Sequence, residues 1–350
     1  RHWRCWIIAP AGRVPAKRHG LVPGRADQPS AARIECNSLP TGIVFELTRL
    51  LTALLLGLLL FAVGCIPLIP RKQFLLLAND VAFAPELTCE QLKIDFGVPD
   101  LPTVKDPAEL GIPFEKAFVK TADDQILRVW YIPAQPERGL ILLAYGAVGE
   151  LPCYLLLTKH LHADGWSMVM YDFQGFGGST GRPSFNTLVT DHTAVLDWTL
   201  ARTGRDKVTL MGISVGTLPT VAQAAARPEA VNAVVLDGLL VLRQQVRRAW
   251  LLIGGRVEHY MKVFDPRLRI EEQLARVHQP IFAVVYGRDE HAKPWQIRKI
   301  LSRAPGEVTI VEFPNLMHAR GPYLATDEYF ARLQAFLAGV WEGSGDVNSR

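Results

Sequence analysis

The stretch at residues 208–217 combines a potential nucleophile with the kind of turn that would expose it. A short apolar run leads into Gly-Ile-Ser-Val-Gly at residues 212–216, and an alanine-rich helical pattern follows. Strand, sharp turn and helix form the setting in which a serine is held in a strained backbone conformation. A Cβ atom at Gly212 or Gly216 would collide with the neighbouring strand or helix. Ser214 is therefore a candidate nucleophile, although the motif alone also occurs in ordinary strand-to-helix turns.

Two more residues with suitable chemistry follow later apolar runs of the sequence. Asp289 comes after the run at 280–286, and His318 comes after the run at 307–313. A serine hydroxyl is a weak nucleophile, so a histidine must accept its proton during attack and an acid must orient that histidine. Asp237 ends another apolar run and is a rival for the acid, while Asp289 could instead cap a helix. These residue types indicate nucleophilic acyl transfer.

The alternation of apolar runs with helical patterns predicts the sheet that must position these residues. Strands are predicted at residues 114–121, 126–132, 139–145, 166–171, 208–213, 231–236, 280–286 and 307–313. The first two form a hairpin, and helical patterns cover residues 151–163, 186–203, 218–227, 295–303 and 322–341. Because most strands are continuously apolar, we expect an α/β fold with a mostly parallel sheet and helices on both faces. Active sites of such sheets lie at the carboxyl ends of the strands, where the candidate residues stand.

Several motifs of this region together resemble the α/β-hydrolase superfamily, and in particular its serine aminopeptidase-like and monoacylglycerol-lipase-like branch. The resemblance extends over about residues 114–341. Its matching segments are residues 171–181, 197–198, 212–216, 287–289 and 317–318. The superfamily places nucleophile, acid and histidine in the chain order of Ser214, Asp289 and His318.

This resemblance implies a serine hydrolase that cleaves an ester, thioester or amide through an acyl-enzyme. Its catalytic residues would be Ser214, Asp289 and His318. Asp289 is preferred to Asp237 because the segment Gly-Arg-Asp stands at the position usual for the acid. The oxyanion hole would consist of the backbone N–H groups of Ala147 and Val215. No metal or organic cofactor is implied, and no pair of cysteines has metal-ligand spacing.

The chain departs from the family pattern at three places near the predicted site. Tyr145-Gly146 stands where His-Gly is usual, Ile213 replaces a frequent histidine, and Thr217 replaces glycine or alanine. Backbone donors survive side-chain changes, so Tyr145 alters the surroundings of the oxyanion hole more than its donors. Tyr145 and Ile213 also support an alternative from another class, a non-catalytic binding protein with the α/β-hydrolase fold.

Residues 239–279 interrupt the alternation of strands and helices. In α/β-hydrolases an insertion at this place forms a cap over the acyl pocket, so we expect a short partial lid and a substrate with an apolar moiety. A packed helix pair with no role in substrate selection is the alternative. With this insertion, the hydrolase domain is predicted at residues 114–342.

The beginning of the chain lacks the pattern of this domain. Residues 1–42 mix Arg, Pro and Gly without periodicity, which indicates a disordered basic tail or an over-extended reading frame with initiation near Ile43 or Val44. The chain has a formal net charge of +4, and the basic excess lies within residues 1–49. The body of the chain is close to neutral, so no nucleic-acid partner is indicated.

Residues 43–65 resemble a bacterial lipoprotein signal. Arg49 precedes the apolar run at 50–63, and Gly64 stands before Cys65. In this interpretation Cys65 is lipidated and becomes the mature N-terminus, and the protein is anchored to a membrane of the cell envelope. One alternative is an uncleaved transmembrane anchor, because residues 50–70 carry no charge and are long enough to span. A buried core helix is the other.

Residues 66–113 contain several prolines and are predicted to form an irregular lead-in on the surface of the domain. Cys89 in this segment and Cys153 in the domain would be able to pair in an oxidising compartment, but the sequence leaves their pairing open.

Overall fold

The structure is a computed structural model that describes four stretches of the 350-residue chain, residues 50–57, 69–98, 103–254 and 256–343. Two units are distinguished, Arg1–Leu54 and Leu55–Arg350. In the first unit the described residues are helical and exposed. The predicted tail at residues 1–42 and the predicted lipidation site Cys65 lie outside the described residues. Within the described stretches, no helix combines the length and the apolarity needed to cross a membrane.

One sheet occupies the centre of the second unit. Its eight described strands are β1 (Glu115–Lys120), β2 (Ile126–Ile132), β3 (Gly139–Ala144), β4 (Trp166–Tyr171), β5 (Val208–Ile213), β6 (Val231–Asp237), β7 (Ile281–Tyr286) and β8 (Val308–Phe313). Their order across the sheet is β1-β2-β4-β3-β5-β6-β7-β8. β1 and β2 form an antiparallel hairpin, and β2 is antiparallel to β4. Strands β3 to β8 run parallel to one another.

Burial of the strands explains their composition. Every residue of β3, β4, β5 and β7 is buried, as expected for a sheet that is covered on both faces. The edge strand β1 is mostly half-buried or exposed, and its sequence alternates accordingly. The predicted mostly parallel α/β fold is confirmed, and the strand boundaries agree with the predicted ones to within one residue.

The α-helices from residue 71 onward precede the first strand, connect successive strands or follow the last strand. They are α1 (Arg71–Ala82), α2 (Cys89–Phe96), α3 (Leu155–Ala163), α4 (Leu188–Thr203), α5 (Thr217–Ala226), α6 (Leu242–Ile253), α7 (Val257–Met261), α8 (Ile270–Gln273), α9 (Pro294–Leu301), α10 (Gly321–Leu324) and α11 (Thr326–Gly343). Helices α6 to α8 lie between β6 and β7, at the place of the predicted insertion.

The prediction of an irregular lead-in at residues 66–113 is wrong, because α1 and α2 occupy much of this segment. Thr88 and Gln91 form a capping box that fixes the start of α2. Phe74 of α1 is buried and packs against Tyr260, with the two ring centroids 4.5 Å apart. These helices are not evident in the sequence because each buries a single residue, Phe74 in α1 and Leu92 in α2, while other apolar side chains such as Leu76 and Ile94 are exposed.

A disulfide joins Cys89, the first residue of α2, to Cys153, which precedes α3. The two cysteines are 64 residues apart in the sequence. A cross-link across such a loop restricts the unfolded chain and, on the chain-entropy account, stabilises the folded state by about 4 kcal/mol. The pairing that the sequence leaves open is present in the structure.

Candidate active site

Ser214 stands at the end of β5, where the chain turns sharply into α5. Its φ of +53° lies in the left-handed region, so the backbone of this serine is strained. Gly216 lies so close to Ala144 that a Cβ atom there would overlap the carbonyl oxygen of Ala144. A Cβ atom on Gly212 would lie 2.6 Å from the oxygen of Gly216. The crowding predicted at Gly212 and Gly216 is therefore present, and a side chain at either position would collide with neighbouring atoms.

The candidate histidine and acid reach Ser214 from the loops that follow β8 and β7. The Nε2 atom of His318 lies 2.9 Å from Ser214 Oγ, and its Nδ1 atom lies 2.7 Å from Asp289 Oδ2. The Oδ1 atom of Asp289 accepts hydrogen bonds from the N–H groups of His291 and Ala292, at 2.6 and 3.1 Å. Asp289 thus closes its own turn and also holds the imidazole, and it does not cap a helix.

The environment of Asp289 keeps its carboxylate ionised. Asp289 and His318 are only 5% and 9% exposed. Burial alone raises the pKa of Asp289, but the hydrogen bonds from His318 and from the two backbone N–H groups outweigh it, and the pKa is lowered. With the Nδ1–H group bound to a carboxylate, the Nε2 atom of His318 is placed to accept the proton of Ser214.

Asp237, the rival acid, lies at the end of β6 and is bonded elsewhere. Its carboxylate accepts hydrogen bonds from the hydroxyls of Tyr286 and Tyr329, at 2.6 and 2.8 Å. The Tyr286 hydroxyl also accepts a hydrogen bond from the N–H group of Gly321, at 3.1 Å. Complete burial raises the pKa of Asp237 to about 6, against the effect of the two tyrosine hydrogen bonds. Asp237 therefore holds the loop that follows His318, and Asp289 holds the imidazole.

Gly238 makes room for the imidazole, a role that the sequence analysis does not identify. Its φ is +62°, and a Cβ atom on it would lie 2.8 Å from Cε1 and 3.1 Å from Nδ1 of His318. The two residues lie in loops after different strands, so no local motif signals their contact.

The ring of His291 lies next to the imidazole ring of His318. The ring centroids of His291 and His318 are 4.5 Å apart, with the rings nearly perpendicular. Burial lowers the pKa of His291, and the neighbouring His318 lowers it further. His291 is therefore a neutral neighbour of His318 at physiological pH.

The predicted oxyanion donors lie on two elements that flank the serine. Val215 directly follows Ser214, and Ala147 lies in the loop after β3, the strand that pairs with β5. A Cβ atom on Gly146 would lie 3.8 Å from Ser214 Cβ, so the backbone of this loop passes beside the serine. The carbonyl of Ala147 accepts a hydrogen bond from Ala84, whereas no hydrogen bond among the described residues uses the Ala147 N–H group.

Tyr145, which stands where the family has histidine, is directed at a buried carboxylate. Its hydroxyl donates to Asp172 Oδ1 at 2.8 Å, and the same oxygen accepts the N–H group of Leu151 at 3.1 Å. Asp172 Oδ2 accepts from Arg128 Nε at 2.5 Å and from the N–H group of Gly178 at 3.1 Å. Asp172 is therefore a structural acid that holds this loop. Tyr145 is its partner and changes no backbone donor.

Thr217, another departure from the family pattern, links the nucleophile turn to the insertion. Its hydroxyl donates to the carbonyl of Ser214 at 2.5 Å and accepts the N–H group of Leu240 at 3.1 Å. Farther along the insertion, Gln245 of α6 donates to the carbonyl of His291 at 3.2 Å. The insertion thus contacts both the loop of the serine and the loop of the acid.

A cavity of about 740 Å³ lies at the amino ends of the parallel strands, on the side of the sheet away from Ser214. Its walls include residues that precede or begin β5 to β8, namely Lys207, Val231, Pro280 and Glu307. The candidate residues stand at the carboxyl ends of these strands, so this cavity is not the site of their chemistry.

Comparison with known proteins relates part of this chain to hydrolases. A family model described as serine aminopeptidase, S33, matches residues 135–259. The uncharacterized protein Rv2307c of Mycobacterium tuberculosis is 26% identical over 208 residues, which cover 57% of this chain and 70% of that protein. The alpha/beta hydrolase domain-containing protein WAV2 of Arabidopsis thaliana is 24% identical over 232 residues, which cover 61% of this chain and 74% of that protein.

The fold is also shared with solved structures. The esterase Pf2001 of Pyrococcus furiosus matches with a TM-score of 0.58 at 17% identity, covering 70% of this chain and 97% of the esterase. The resemblance to the α/β-hydrolase superfamily that the sequence predicts is confirmed by these findings together. They support a hydrolase activity.

Enlarging Gly238 should displace the imidazole. We expect Gly238→Ala to lower kcat/KM for a chromogenic ester by about 100-fold, because a displacement of roughly 1 Å in a reacting group costs this much. Gly204→Ala is the matched control, since Gly204 has a φ of +66° and open space around its Cβ position. It introduces the same backbone strain without touching His318 and should keep full activity. Equal losses in the two variants would contradict the role assigned to Gly238.

Asp237 should make the folded state less stable as the pH rises. Its pKa is about 6 in the folded protein against 3.8 for an ordinary aspartate, so the folded state binds more protons between these values. The stabilisation of the folded state by protonated Asp237 is complete below pH 4 and is lost as the pH rises through 6. The pKa shift of Asp237 corresponds to a change of about 3 kcal/mol in the free energy of unfolding.

The measurement is the free energy of unfolding by urea between pH 4 and pH 7. Asp237→Asn removes the titrating group, so its stability should fall less with rising pH than that of the wild type. Asp124→Asn changes an aspartate whose side chain is 82% exposed and should follow the wild-type profile. If the free energy of unfolding of Asp237→Asn falls with pH as steeply as that of the wild type, Asp237 is not the group responsible for the pH dependence.

Proposed function

We propose that this chain is a serine hydrolase that cleaves an ester, thioester or amide with an apolar moiety through an acyl-enzyme. The observation that carries the proposal is the hydrogen-bonded series Ser214, His318 and Asp289, on a serine with a φ of +53°. A histidine bonded on one side to a serine and on the other to an ionised carboxylate is the arrangement that activates a serine hydroxyl.

In the proposed reaction Ser214 Oγ attacks the carbonyl carbon of the substrate while His318 Nε2 takes its proton. Asp289 stabilises the imidazolium cation that forms and keeps the ring in place. His318 then gives the proton to the leaving group, which departs as an alcohol, thiol or amine. Water attacks the acyl-serine with His318 again as base, which releases the acid and restores Ser214.

The negative charge that develops on the substrate oxygen is assigned to two backbone donors. The N–H groups of Ala147 and Val215 would bind this oxyanion, and the loss of one such donor typically costs about 3 kcal/mol of transition-state stabilisation. Val215 lies in the turn that leads into α5, whose N-terminal end favours negative charge.

Small-molecule esters are the first substrate class to test. Pf2001, whose fold this chain shares, is named an esterase. The insertion at residues 239–279 contacts the loops of Ser214 and of Asp289 through Thr217 and Gln245, which supports its role as a partial lid. The alternative of a non-catalytic binding protein is disfavoured, because Tyr145 is bonded to Asp172 and so leaves the series intact.

A fluorophosphonate probe tests the nucleophile directly. We expect the probe to label the wild type and not Ser214→Ala, because only an activated serine reacts with it. The same variant should lower kcat for p-nitrophenyl esters by at least about 10⁴-fold. Ser302→Ala, which changes an exposed serine, is the control and should be labelled like the wild type. Absence of labelling in folded wild-type protein, with no turnover across acyl chains of graded length, would favour the binding protein.

The hydrolase is further proposed to be tethered to a membrane of the bacterial cell envelope through a lipidated Cys65. The motif at residues 43–65 supports the tether, and an N-terminal transmembrane anchor is the alternative. The disulfide between Cys89 and Cys153 also supports export, because such bonds persist in oxidising compartments. A tether would bring the apolar insertion close to lipidic esters, and multiple acyl chains hold a protein firmly at a membrane.

Substitution of Cys65 separates the two modes of anchoring. For a protein expressed in bacteria, Cys65→Ser should abolish the lipidated mature form and leave the precursor mass. Cys36→Ser changes another cysteine of the leader and should behave as the wild type in mass and in membrane fractionation. If wild type and Cys65→Ser share an uncleaved mass and both remain in the membrane fraction, the transmembrane anchor is correct.

A further inference from the structure

Helix α2 touches the two loops that carry the proposed chemistry. We propose that α2 is a clamp that positions the oxyanion loop, residues 145–151, relative to the loop of His318. The inference rests on the proposed function, because it assigns a positioning role within the same site. It concerns a segment that lies before the first strand and contains none of the proposed catalytic residues.

The first connection is a pair of backbone hydrogen bonds between Ala84, which lies between α1 and α2, and the oxyanion loop. The N–H group of Ala84 donates to the carbonyl of Ala147 at 2.9 Å, and the carbonyl of Ala84 accepts the N–H group of Gly149 at 3.2 Å. These two bonds form a parallel bridge between Ala84 and Val148. They hold the loop on both sides of Val148 and thereby fix the residue that carries the proposed donor.

The second connection consists of the disulfide and of the packing of Leu92 against the loop. The disulfide ties the start of α2, at Cys89, to Cys153 beyond the end of the oxyanion loop. Leu92 of α2 is buried, and a Cβ atom on Gly149 would lie 2.9 Å from Leu92 Cδ1. Gly149 has a φ of +70°, a backbone conformation that favours glycine at this position. The helix thus packs directly on the loop and is also bonded to Cys153, two residues beyond the end of the loop.

The third connection reaches the loop of the histidine. Arg320, two residues after His318, donates to the carbonyl of Asp95 at 3.3 Å. Its guanidinium carbon lies 5.4 Å from the centre of the Phe96 ring. One end of α2 is therefore joined to the oxyanion loop, and the other end is joined to the loop of the proposed general base.

These contacts should affect turnover more than substrate binding. The oxyanion exists in the transition state and the tetrahedral intermediate, so a displaced Ala147 N–H group weakens their stabilisation and leaves ground-state binding largely unchanged. Other hydrogen bonds also hold the loop: Asp172 accepts from Tyr145 and from Leu151 near its two ends, and the Val148 carbonyl accepts from the Tyr154 hydroxyl at 2.9 Å. Ala84 and α2 add the contacts on Ala147 and on Gly149.

The test compares Cys89→Ser with the wild type in two measurements. For a chromogenic ester we expect kcat to fall by about 10- to 100-fold and KM to change by less than about threefold. In hydrogen exchange, the amides of residues 145–151 should exchange at least about tenfold faster, while those of β5 to β7 keep their protection. A dithiol, which gives two electrons and two protons to the sulfur–sulfur bond and becomes a disulfide, should change the wild type likewise and leave Cys89→Ser unaffected.

Arg320→Ala tests the other end of the helix and avoids the disulfide. We expect about a fivefold loss of kcat at constant KM, because one hydrogen bond and one cation–π contact are removed. Arg332→Ala removes an exposed arginine that pairs with Glu328 and should change neither kcat nor KM. Wild-type kcat in both Cys89→Ser and Arg320→Ala would overturn the clamp, as would a rise in KM with kcat unchanged.

The two readouts separate failure of the clamp from failure of the proposed function. If the folded wild type is not labelled by the fluorophosphonate probe and hydrolyses no ester, thioester or amide, the proposed function fails, and hydrogen exchange of residues 145–151 alone decides the clamp. Unchanged exchange in folded Cys89→Ser and in the reduced wild type would then refute it. If Cys89→Ser does not fold, reduction of the folded wild type and Arg320→Ala provide the same decision.

Discussion

A single carboxylate oxygen closes the loop on which the proposed site depends. Asp172 Oδ1 accepts from the Tyr145 hydroxyl at one end of the loop and from the Leu151 N–H group at the other. Burial raises the pKa of Asp172, while Arg128 opposes the rise by its charge and its hydrogen bond. A buried carboxylate without such a partner would be costly, so the loop, the strand that carries Arg128 and the carboxylate stabilise one another. At the position where the family resemblance implies a histidine, this chain has Tyr145, which reaches Asp172.

Three buried aspartates stand at or just beyond the ends of strands, and each fixes a loop. Asp172 fixes the oxyanion loop, Asp237 fixes the loop after His318 through two tyrosines, and Asp289 fixes its own turn and the imidazole. Their environments differ in one respect that matters for chemistry. The pKa of Asp289 is lowered and that of the other two is raised. Only Asp289 combines an ionised carboxylate with a hydrogen bond to histidine, which is the difference between an orienting acid and a structural one.

The sequence predicts the sheet and the nucleophile turn because both have local signatures. Continuous apolar runs mark the buried strands, and the two glycines of the turn are required by close contacts that involve neighbouring backbone. The choice of Asp289 over Asp237 rests on the family pattern, since strand ends alone do not distinguish two acids. Helix α2, the disulfide and the contact of Gly238 with His318 could not be predicted, because each depends on residues far apart in the chain. The catalytic roles themselves stay predictions.

The order of the strands divides the proposed chemistry between two halves of the chain. Strands β1 to β4 form one side of the sheet and β5 to β8 the other, and the two sides meet only where β3 pairs with β5. Ser214, Asp289 and His318 all belong to the second half, whereas Ala147 and the clamp belong to the first. The proposed proton-transfer residues are thus encoded in the second half, whereas the two proposed oxyanion donors come from both halves, Ala147 from the first and Val215 from the second. Substitutions in the first half can therefore change the position of the Ala147 donor and leave the proton-transfer residues of the second half unchanged.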